Sequence, residues 1–350
     1  MSHQPKILII YTGGTIGMVA SDDDSGLIPF NFEHLEQQVP QLKKVSAEIS
    51  IESFDEPIDS SNMTPKIWSK IAEKIYHNYA KYDGFVILHG SDTMAYTASA
   101  LSFMLQGLTK PVILTGSQLP IDSLRTDGKE NLITSIEIAA KHQGGEPLIQ
   151  EVAIYFEDNL YRGNRTSKVN AEDFEAFESF NYPKLAEVGV RIKINRPVLY
   201  RTHLNEIELN TQFCDDVLIL KLFPGINKNT LQHLLDTPNI KGIILETYGA
   251  GNTLSEPWFL NELETAIKKG IIIFNVSQCH GGMVEQGLYE TSFGLEKIGV
   301  IGGADITSEA AVCKLMYLFG QEFSHEEIKL KLRRSIAGEQ TPKTNLSLEN

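Results

Sequence analysis

Hydroxyl groups and glycines gather at the ends of two apolar segments of this 350-residue chain. Residues 11–17, Y-T-G-G-T-I-G, follow the apolar run that begins at Ile7, and residues 89–93, H-G-S-D-T, follow the run from Gly84. Loops at the carboxyl ends of parallel strands gather at one edge of an α/β sheet and form its binding sites. Hydrolysis of an unactivated amide requires a nucleophile, a base that takes its proton and donors for the oxyanion. The two segments are therefore candidates for such a site.

Two further segments carry polar groups that could complete it. Residues 59–62, D-S-S-N, lie just before a predicted helix, and residues 161–168, Y-R-G-N-R-T-S-K, end in a lysine. Each candidate residue could also have a purely structural role. Asp92 would cap the following helix, and Lys168 would be a solvated surface charge. Asn252, in the later segment 248–252, would be an ordinary turn residue. The T-G-G-T turn matches neither of the common nucleotide-binding glycine motifs. Taken singly, these segments do not establish a catalytic site.

The overall charge and the cysteine content restrict the class of protein. The net charge is −14 and the pI about 5.1, so nucleic acids and anionic membrane surfaces are poor partners, and a small-molecule substrate is expected. The three cysteines are Cys214, Cys279 and Cys313. They are widely spaced and form no C-x-x-C pair, which argues against a disulfide framework and fits a reducing compartment. The nine histidines show no metal-ligand spacing. With no signal peptide or bilayer-length apolar run, we expect a complete cytoplasmic protein without a metal site.

Short apolar runs alternate with helical patterns along the chain, which predicts an α/β fold with a parallel sheet. The clearest helix follows Thr64, a good N-cap, and has Pro65 in its first position. Strands are predicted at residues 7–11, 47–54, 84–88, 111–114, 151–156, 217–220, 242–246 and 271–276. Helical periodicity fades over residues 159–201, as in hairpins or an irregular crossing segment.

The length of the chain predicts two domains rather than one. A larger N-terminal α/β domain with a parallel sheet is expected over residues 1–200 and should contain the candidate site. Residues 201–214 form the expected linker, and residues 215–350 form a smaller C-terminal α/β domain. The chain becomes polar after Leu332, so we expect its tail to be frayed.

Together the segments resemble the bacterial-type L-asparaginases, and most closely their cytoplasmic type I branch. The resemblance includes T-G-G-T-I-G, H-G-S-D-T-M and Y-R-G-N-R-T-S-K, together with residues 115–118, 248–252 and 300–305, and spans nearly the whole chain. It implies hydrolysis of the side-chain amide of L-asparagine to L-aspartate and ammonia. It also implies the two-domain asparaginase-like fold, a homodimer or homotetramer, and no cofactor.

The resemblance assigns roles to particular residues. Thr15 becomes the nucleophile that forms an acyl-enzyme, while Ser91, Asp92 and Lys168 activate water and relay protons. Among the residues that bind substrate, Asp92 meets the α-ammonium group and Asn252 reaches a neighbouring subunit's site. The full set of substrate-binding positions is Asp59, Ser60, Ser61, Gly90, Ser91, Asp92, Ser117 and Asn252. Burial would favour a neutral Lys168 amine and the Asp92 carboxylate would favour its charged form, so proton transfer is assigned to the pair jointly.

The chain departs from the family pattern at four positions. Ser91 replaces a common threonine and keeps the hydroxyl, and Asn62 replaces a common aspartate. Leu27 stands where the family usually has a tyrosine that supports the nucleophile, so this support is lost. Some type I members also have a regulatory asparagine site; Ser167 and Cys279 fit its pattern, but Glu246 replaces its arginine.

Two other functions compete with the amidohydrolase. Leu27 suggests a non-catalytic amino-acid sensor on the same scaffold. The second is an ammonia-producing subunit of a tRNA-dependent amidotransferase, but such subunits carry an added N-terminal domain and only residues 1–6 precede the first predicted strand here. The sequence leaves open the preference for asparagine or glutamine, the affinity, and the choice between dimer and tetramer.

Overall fold

The structure is a computed structural model that describes residues 4–20, 27–29, 39–285 and 290–341. The chain divides into two compact units, Met1–Thr211 and Gln212–Asn350. This division falls inside the expected linker, residues 201–214. Within the described residues, no helix is both long and apolar enough to cross a membrane.

The described residues of the first unit form one large sheet, three helices and several short hairpins. Its helices are α1 (Pro65–Asn78), α2 (Met94–Met104) and α3 (Gly128–Ala139). Its strands are β1 (Lys6–Tyr11), β2 (Met18–Ala20), β3 (Leu27–Pro29), β4 (Glu48–Ser53), β5 (Gly84–Leu88), β6 (Leu105–Gln106), β7 (Val112–Thr115), β8 (His142–Gln143), β9 (Glu146–Pro147), β10 (Val152–Phe156), β11 (Asn159–Arg162), β12 (Ser167–Lys168), β13 (Phe177–Glu178), β14 (Ala186–Val188), β15 (Ile192–Ile194) and β16 (Glu208–Leu209).

The large sheet has the strand order β15-β14-β11-β10-β7-β5-β1-β4. The strands from β4 to β10 in this order pair in parallel, whereas β11, β14 and β15 pair antiparallel. The expected parallel sheet is therefore a mixed sheet. The reason is local, because only Glu157 and Asp158 separate β10 from β11. So short a connection can join only antiparallel strands.

The strands that lead to the candidate site occupy the middle of this sheet. All five residues of β5 are buried, as are the last five of β1. Both strands have neighbours on either side in the sheet, and both faces of the sheet are covered there. Helix α1 buries Trp68, Ile71, Ala72 and Ile75, which recur at helical spacing. Burial of a side chain such as Ile71 contributes about 1.5–3 kcal/mol, and the core thereby fixes where the strand ends lie.

The second unit has a four-stranded parallel sheet in the order β17-β18-β19-β20. These strands are β17 (Val217–Lys221), β18 (Gly242–Thr247), β19 (Ile272–Ser277) and β20 (Ile301–Gly302). The helices are α4 (Lys228–Leu235), α5 (Pro257–Lys268), α6 (Glu290–Ile298), α7 (Ser308–Gly320) and α8 (His325–Leu332). Leu231, Ile243, Phe259 and Leu263 meet in its apolar core.

The polar segment after α8 is packed, contrary to the expected fraying. Glu339 and Gln340 are buried, and Thr341 donates its backbone N–H to Asp305 Oδ1 at 2.8 Å. Lys314 of α7 pairs with the Glu339 carboxylate at 2.7 Å in the interior. Polar composition misled the prediction because a buried partner of opposite charge satisfies these groups. Residues 342–350 lie outside the described residues.

Candidate active site

The segments that follow β1, β5 and β7 meet at one edge of the large sheet. Thr12 donates its N–H to Leu88 O at 3.0 Å, and His89 donates to Thr115 O at 2.9 Å. Thr12 O in turn accepts the N–H of Ile58 at 2.8 Å, which brings the loop before α1 to the same edge. The sheet thus assembles polar segments that are distant in sequence.

Two glycine-containing loops are in direct contact at this edge. Gly14 has a φ of +86°, and a Cβ on it would lie 2.5 Å from Gly90 N and 2.6 Å from Gly90 Cα. Any larger residue would push the loops apart, so glycine is required here by both conformation and space. Thr15 and Ser91, the residues that follow each glycine, consequently lie on neighbouring segments.

Thr15 begins a single 3₁₀ turn, Thr15–Gly17, at the end of the first loop. Gly17 N donates to Gly14 O at 3.2 Å, and Ile16 is fully buried in the core cluster that includes Ile9 and Tyr11. Thr15 itself is half-buried. Burial of Ile16 therefore fixes the turn to the core and leaves the threonine at the accessible edge.

Lys168 joins Ser91 and Asp92 in one hydrogen-bonded cluster. Its Nζ donates to Ser91 Oγ at 2.8 Å and to Asp92 Oδ1 at 2.7 Å. Only 16% of the lysine side chain is exposed, compared with 66% of the aspartate side chain. Ser91 and Asp92 occupy the 3₁₀ turn Ser91–Thr93 after β5. The arrangement links a largely covered amine to a hydroxyl and to a carboxylate that a ligand can reach.

Gln118 belongs to this cluster, although sequence reasoning did not select it. Ser91 Oγ donates to Gln118 Oε1 at 3.4 Å, which is long for a hydrogen bond. The Gln118 side-chain amide donates to the backbone oxygens of Ala171 and Asp173, in the segment just after Lys168. Its position within the family-like segment 115–118 was the available signal. Gln118 thus connects the two chain segments that supply Ser91 and Lys168.

The loop before α1 supplies a second group of hydroxyls. Asp59 Oδ1 accepts both the backbone N–H and the hydroxyl of Ser61, at 2.9 and 2.8 Å. These two bonds hold the pKa of the Asp59 carboxyl below its ordinary value. Ser60 is buried, and its carbonyl accepts from Thr93 Oγ1 at 2.7 Å. This contact fixes the serine loop against the turn that carries Asp92.

A buried histidine stabilises the Gly90 backbone. Trp68 Nε1 can only donate, so the Thr97 hydroxyl accepts from it at 3.0 Å and donates to His89 Nε2 at 2.8 Å. His89 Nδ1 then carries the proton and donates to Gly90 O at 2.7 Å. Burial lowers the pKa of His89 to about 4, so the ring is neutral at physiological pH.

Three residues singled out in the sequence are not joined to this cluster by a described contact. Ser117 is buried and donates its hydroxyl to Leu119 O at 2.6 Å. Asn252 lies in the second unit, in a tight turn closed by two backbone bonds with Tyr248. Leu27 is in β3, but its side chain lies outside the described residues. The described residues also include no cluster of three His, Cys, Asp or Glu side chains that could hold a metal ion.

Comparison with known proteins gives two family matches. Residues 6–200 match the family described as Asparaginase, N-terminal, and residues 216–330 match the Glutaminase/Asparaginase C-terminal domain. The chain is 43% identical over 345 residues to L-asparaginase 1 of Escherichia coli, covering 97% of this chain and 99% of that protein. It is 33% identical to one subunit of the glutamyl-tRNA(Gln) amidotransferase of Metallosphaera sedula, covering 97% of this chain and 78% of that protein.

A solved structure shows the same architecture. L-asparaginase I of Vibrio cholerae superposes with a TM-score of 0.87 at 41% identity, covering 97% of this chain and all of that one. The mixed sheet of the first unit and the parallel sheet of the second are therefore those of the two-domain asparaginase fold. With both family domains matched along nearly its whole length, the chain belongs to the asparaginase family.

Proposed function

We propose that this protein hydrolyses the side-chain amide of L-asparagine to L-aspartate and ammonia, with Thr15 as nucleophile. The observation that carries the proposal is the cluster of Lys168, Ser91 and Asp92. Ser91 and Asp92 directly follow Gly90, which contacts the Thr15 loop at Gly14. The identity to an L-asparaginase over almost the full length supports the same reaction.

In the proposed reaction the Thr15 oxygen attacks the side-chain amide carbon and loses its proton to the cluster. The C–N bond then breaks, ammonia leaves with an added proton, and a threonyl ester remains. The cluster next removes a proton from water, which attacks the ester and releases aspartate while Thr15 regains its hydrogen. Thr15 and Ser91 each begin a 3₁₀ turn, where the backbone N–H has no partner within the turn, so these groups are available to the oxyanion.

Substrate recognition in this proposal uses complementary charge. The exposed Asp92 carboxylate binds the α-ammonium group, while Ser60 and Ser61 hold the α-carboxylate. Asp59, Gly90 and Ser117 are the further substrate-binding positions of the proposal. Ser61 must turn its hydroxyl from Asp59 to the substrate, because a hydroxyl has one proton to donate. Asn252 completes the site of a neighbouring copy in a cytoplasmic homodimer or homotetramer.

Replacement of the nucleophile tests the mechanism. We expect Thr15→Ala to reduce ammonia release from asparagine by several powers of ten, because the acyl-enzyme can no longer form. The circular dichroism spectrum should be unchanged, since Thr15 is only half-buried. Retention of more than about a tenth of the wild-type rate would assign the nucleophile elsewhere. Asparagine binding without ammonia release by the wild-type protein would indicate an amino-acid sensor instead.

A further inference from the structure

The side chain of Tyr11 contacts the turn that carries Thr15. Tyr11 ends β1, is 2% exposed, and donates its hydroxyl to Gly17 O at 3.0 Å. Its ring also fills the space beside Gly17: a Cβ there would lie 2.2 Å from Tyr11 Cε2 and 2.5 Å from its hydroxyl oxygen. The ring and the glycine therefore fit each other closely at the end of the turn.

The backbone of Tyr11 is fixed on both sides by the sheet. It stands opposite Ser53 of β4 and Leu88 of β5, and its carbonyl accepts the N–H of Phe54 at 2.9 Å. Burial raises the pKa of the phenol to about 12, so the hydroxyl remains a donor at any pH where the protein works. Tyr11 thus combines a rigid attachment with a permanent hydrogen bond to the turn.

The turn has few other attachments among the described residues. Its three residues are held by the Gly17 N to Gly14 O bond, by the Met18 N to Thr15 O bond and by burial of Ile16. A nucleophile must be held within about 0.5 Å of its productive position, and a displacement of about 1 Å costs roughly a hundredfold in rate. Among the described residues, the Tyr11 hydroxyl is the side-chain donor bonded to this turn.

We propose that Tyr11 is a positioning residue for the nucleophile: its hydroxyl holds Gly17 and thereby sets the place of Thr15 relative to the Ser91 loop. The proposal rests on the proposed function of Thr15. Tyr11 acts through its hydrogen bond to Gly17 O, so its effect falls on the rate of attack rather than on substrate binding.

Tyr11→Phe tests this role because it removes one oxygen atom and leaves the ring in place. We expect kcat to fall by about 5- to 50-fold while KM changes by less than about twofold, in line with loss of part of the positioning. Tyr155→Phe is the matched control: Tyr155 is also 2% exposed, also belongs to the core of the first unit, and has a hydroxyl bonded to Thr134. This control should lose comparable stability and keep its kcat.

A covalent probe separates positioning from general destabilisation. A diazoketone analogue of asparagine alkylates a reactive hydroxyl, and mass spectrometry locates the adduct. We expect labelling of Thr15 to slow in Tyr11→Phe by the same factor as kcat, and to be unchanged in Tyr155→Phe. Equal effects in both variants, or a change confined to KM, would overturn the proposal for Tyr11. Absence of an adduct on Thr15 in the wild-type protein would instead refute the proposed nucleophile.

Discussion

Lys168 connects the two groups that the proposed reaction uses. Its Nζ donates to the Ser91 hydroxyl at 2.8 Å and to the Asp92 carboxylate at 2.7 Å. In the proposed complex, the same Asp92 carboxylate also binds the substrate's α-ammonium group. Substrate binding and proton transfer would therefore meet at one carboxylate.

The charge of Asp92 can be removed with little change in shape. We expect Asp92→Asn to raise KM about 10- to 100-fold, because a charge-assisted contact of about 1.5–3 kcal/mol with the substrate is lost. The rate should fall as well, since Lys168 then loses its counter-charge while keeping its bond to Ser91. Steady-state kinetics with asparagine measure both effects.

A helix-capping role for Asp92 would give a different result. Asparagine caps a helix about as well as aspartate, so capping alone predicts an unchanged KM. The structure places Asp92 inside the 3₁₀ turn, while Thr93 is the N-cap of α2. An unchanged KM in Asp92→Asn would therefore rule out the proposed contact with the ammonium group.

The sequence located most of the candidate residues but not the bonds between them. Family motifs pointed to Ser91, Asp92 and Lys168, and spacing alone could not show that residues 76 or 77 positions apart meet. The Gln118 contacts depend on where the chain runs after β12, which no local pattern specifies. The hydrogen bond from Tyr11 to Gly17 likewise depends on how a three-residue turn folds back on its own strand.

Among the helices and strands, the strongly apolar segments were the most predictable. The strand at Gly84–Leu88 matches its predicted range, and α1 begins at Pro65 as expected, although Thr64 makes no side-chain capping bond. Helix α3 was missed because its buried residues include Gly128, Asn131, Thr134 and Ser135, which blur the apolar stripe. Whether such a segment forms a helix is decided by the groups that it packs against in the fold rather than by its local composition.

The segment after α8 contributes to stability through one buried ion pair. Lys314 Nζ donates to Glu339 Oε1, to Arg334 O and to Gln340 Oε1 at 2.6–2.8 Å. We expect Lys314→Met to destabilise the protein by about 3–5 kcal/mol, because the Glu339 carboxylate is left buried without its counter-charge. Urea unfolding measures the change. Lys269→Met is the control, since its partner Asp236 is exposed, and it should have little effect.

The same pair predicts how stability depends on pH. Burial alone would raise the pKa of Glu339, but Lys314 and backbone donors such as Ala337 N outweigh it and hold the pKa below the ordinary 4.5. As the pH falls, the Glu339 carboxylate therefore takes up a proton in the unfolded chain before it does so in the folded protein. The stabilisation is present above pH 4.5 and is lost as the pH falls through the lower folded value. The double variant Lys314→Met/Glu339→Gln should regain most of the stability; no recovery would contradict the ion-pair explanation.

Each unit has an apolar core cluster of its own, and the first unit contains the proposed catalytic cluster. The second supplies Glu246, at the position where some type I relatives have an arginine for a regulatory asparagine. Its carboxylate is almost buried: Oε1 accepts from Ser308 Oγ at 2.7 Å, and Oε2 lies 3.6 Å from Lys221 Nζ. The neighbouring groups therefore keep this carboxylate in place within the second unit.

We expect a hyperbolic dependence of the rate on asparagine concentration. Sigmoidal kinetics require a second site whose occupancy favours the active state. Loss of an arginine–carboxylate pair, together with repulsion between Glu246 and the effector's carboxylate, should cost about 2–5 kcal/mol and leave such a site empty. Initial rates across a wide range of asparagine concentrations should therefore fit a Hill coefficient of about one. A coefficient clearly above one would contradict this expectation and make Lys221, the cation next to Glu246, the first candidate for the arginine's role; Lys221→Gln should then restore the hyperbola.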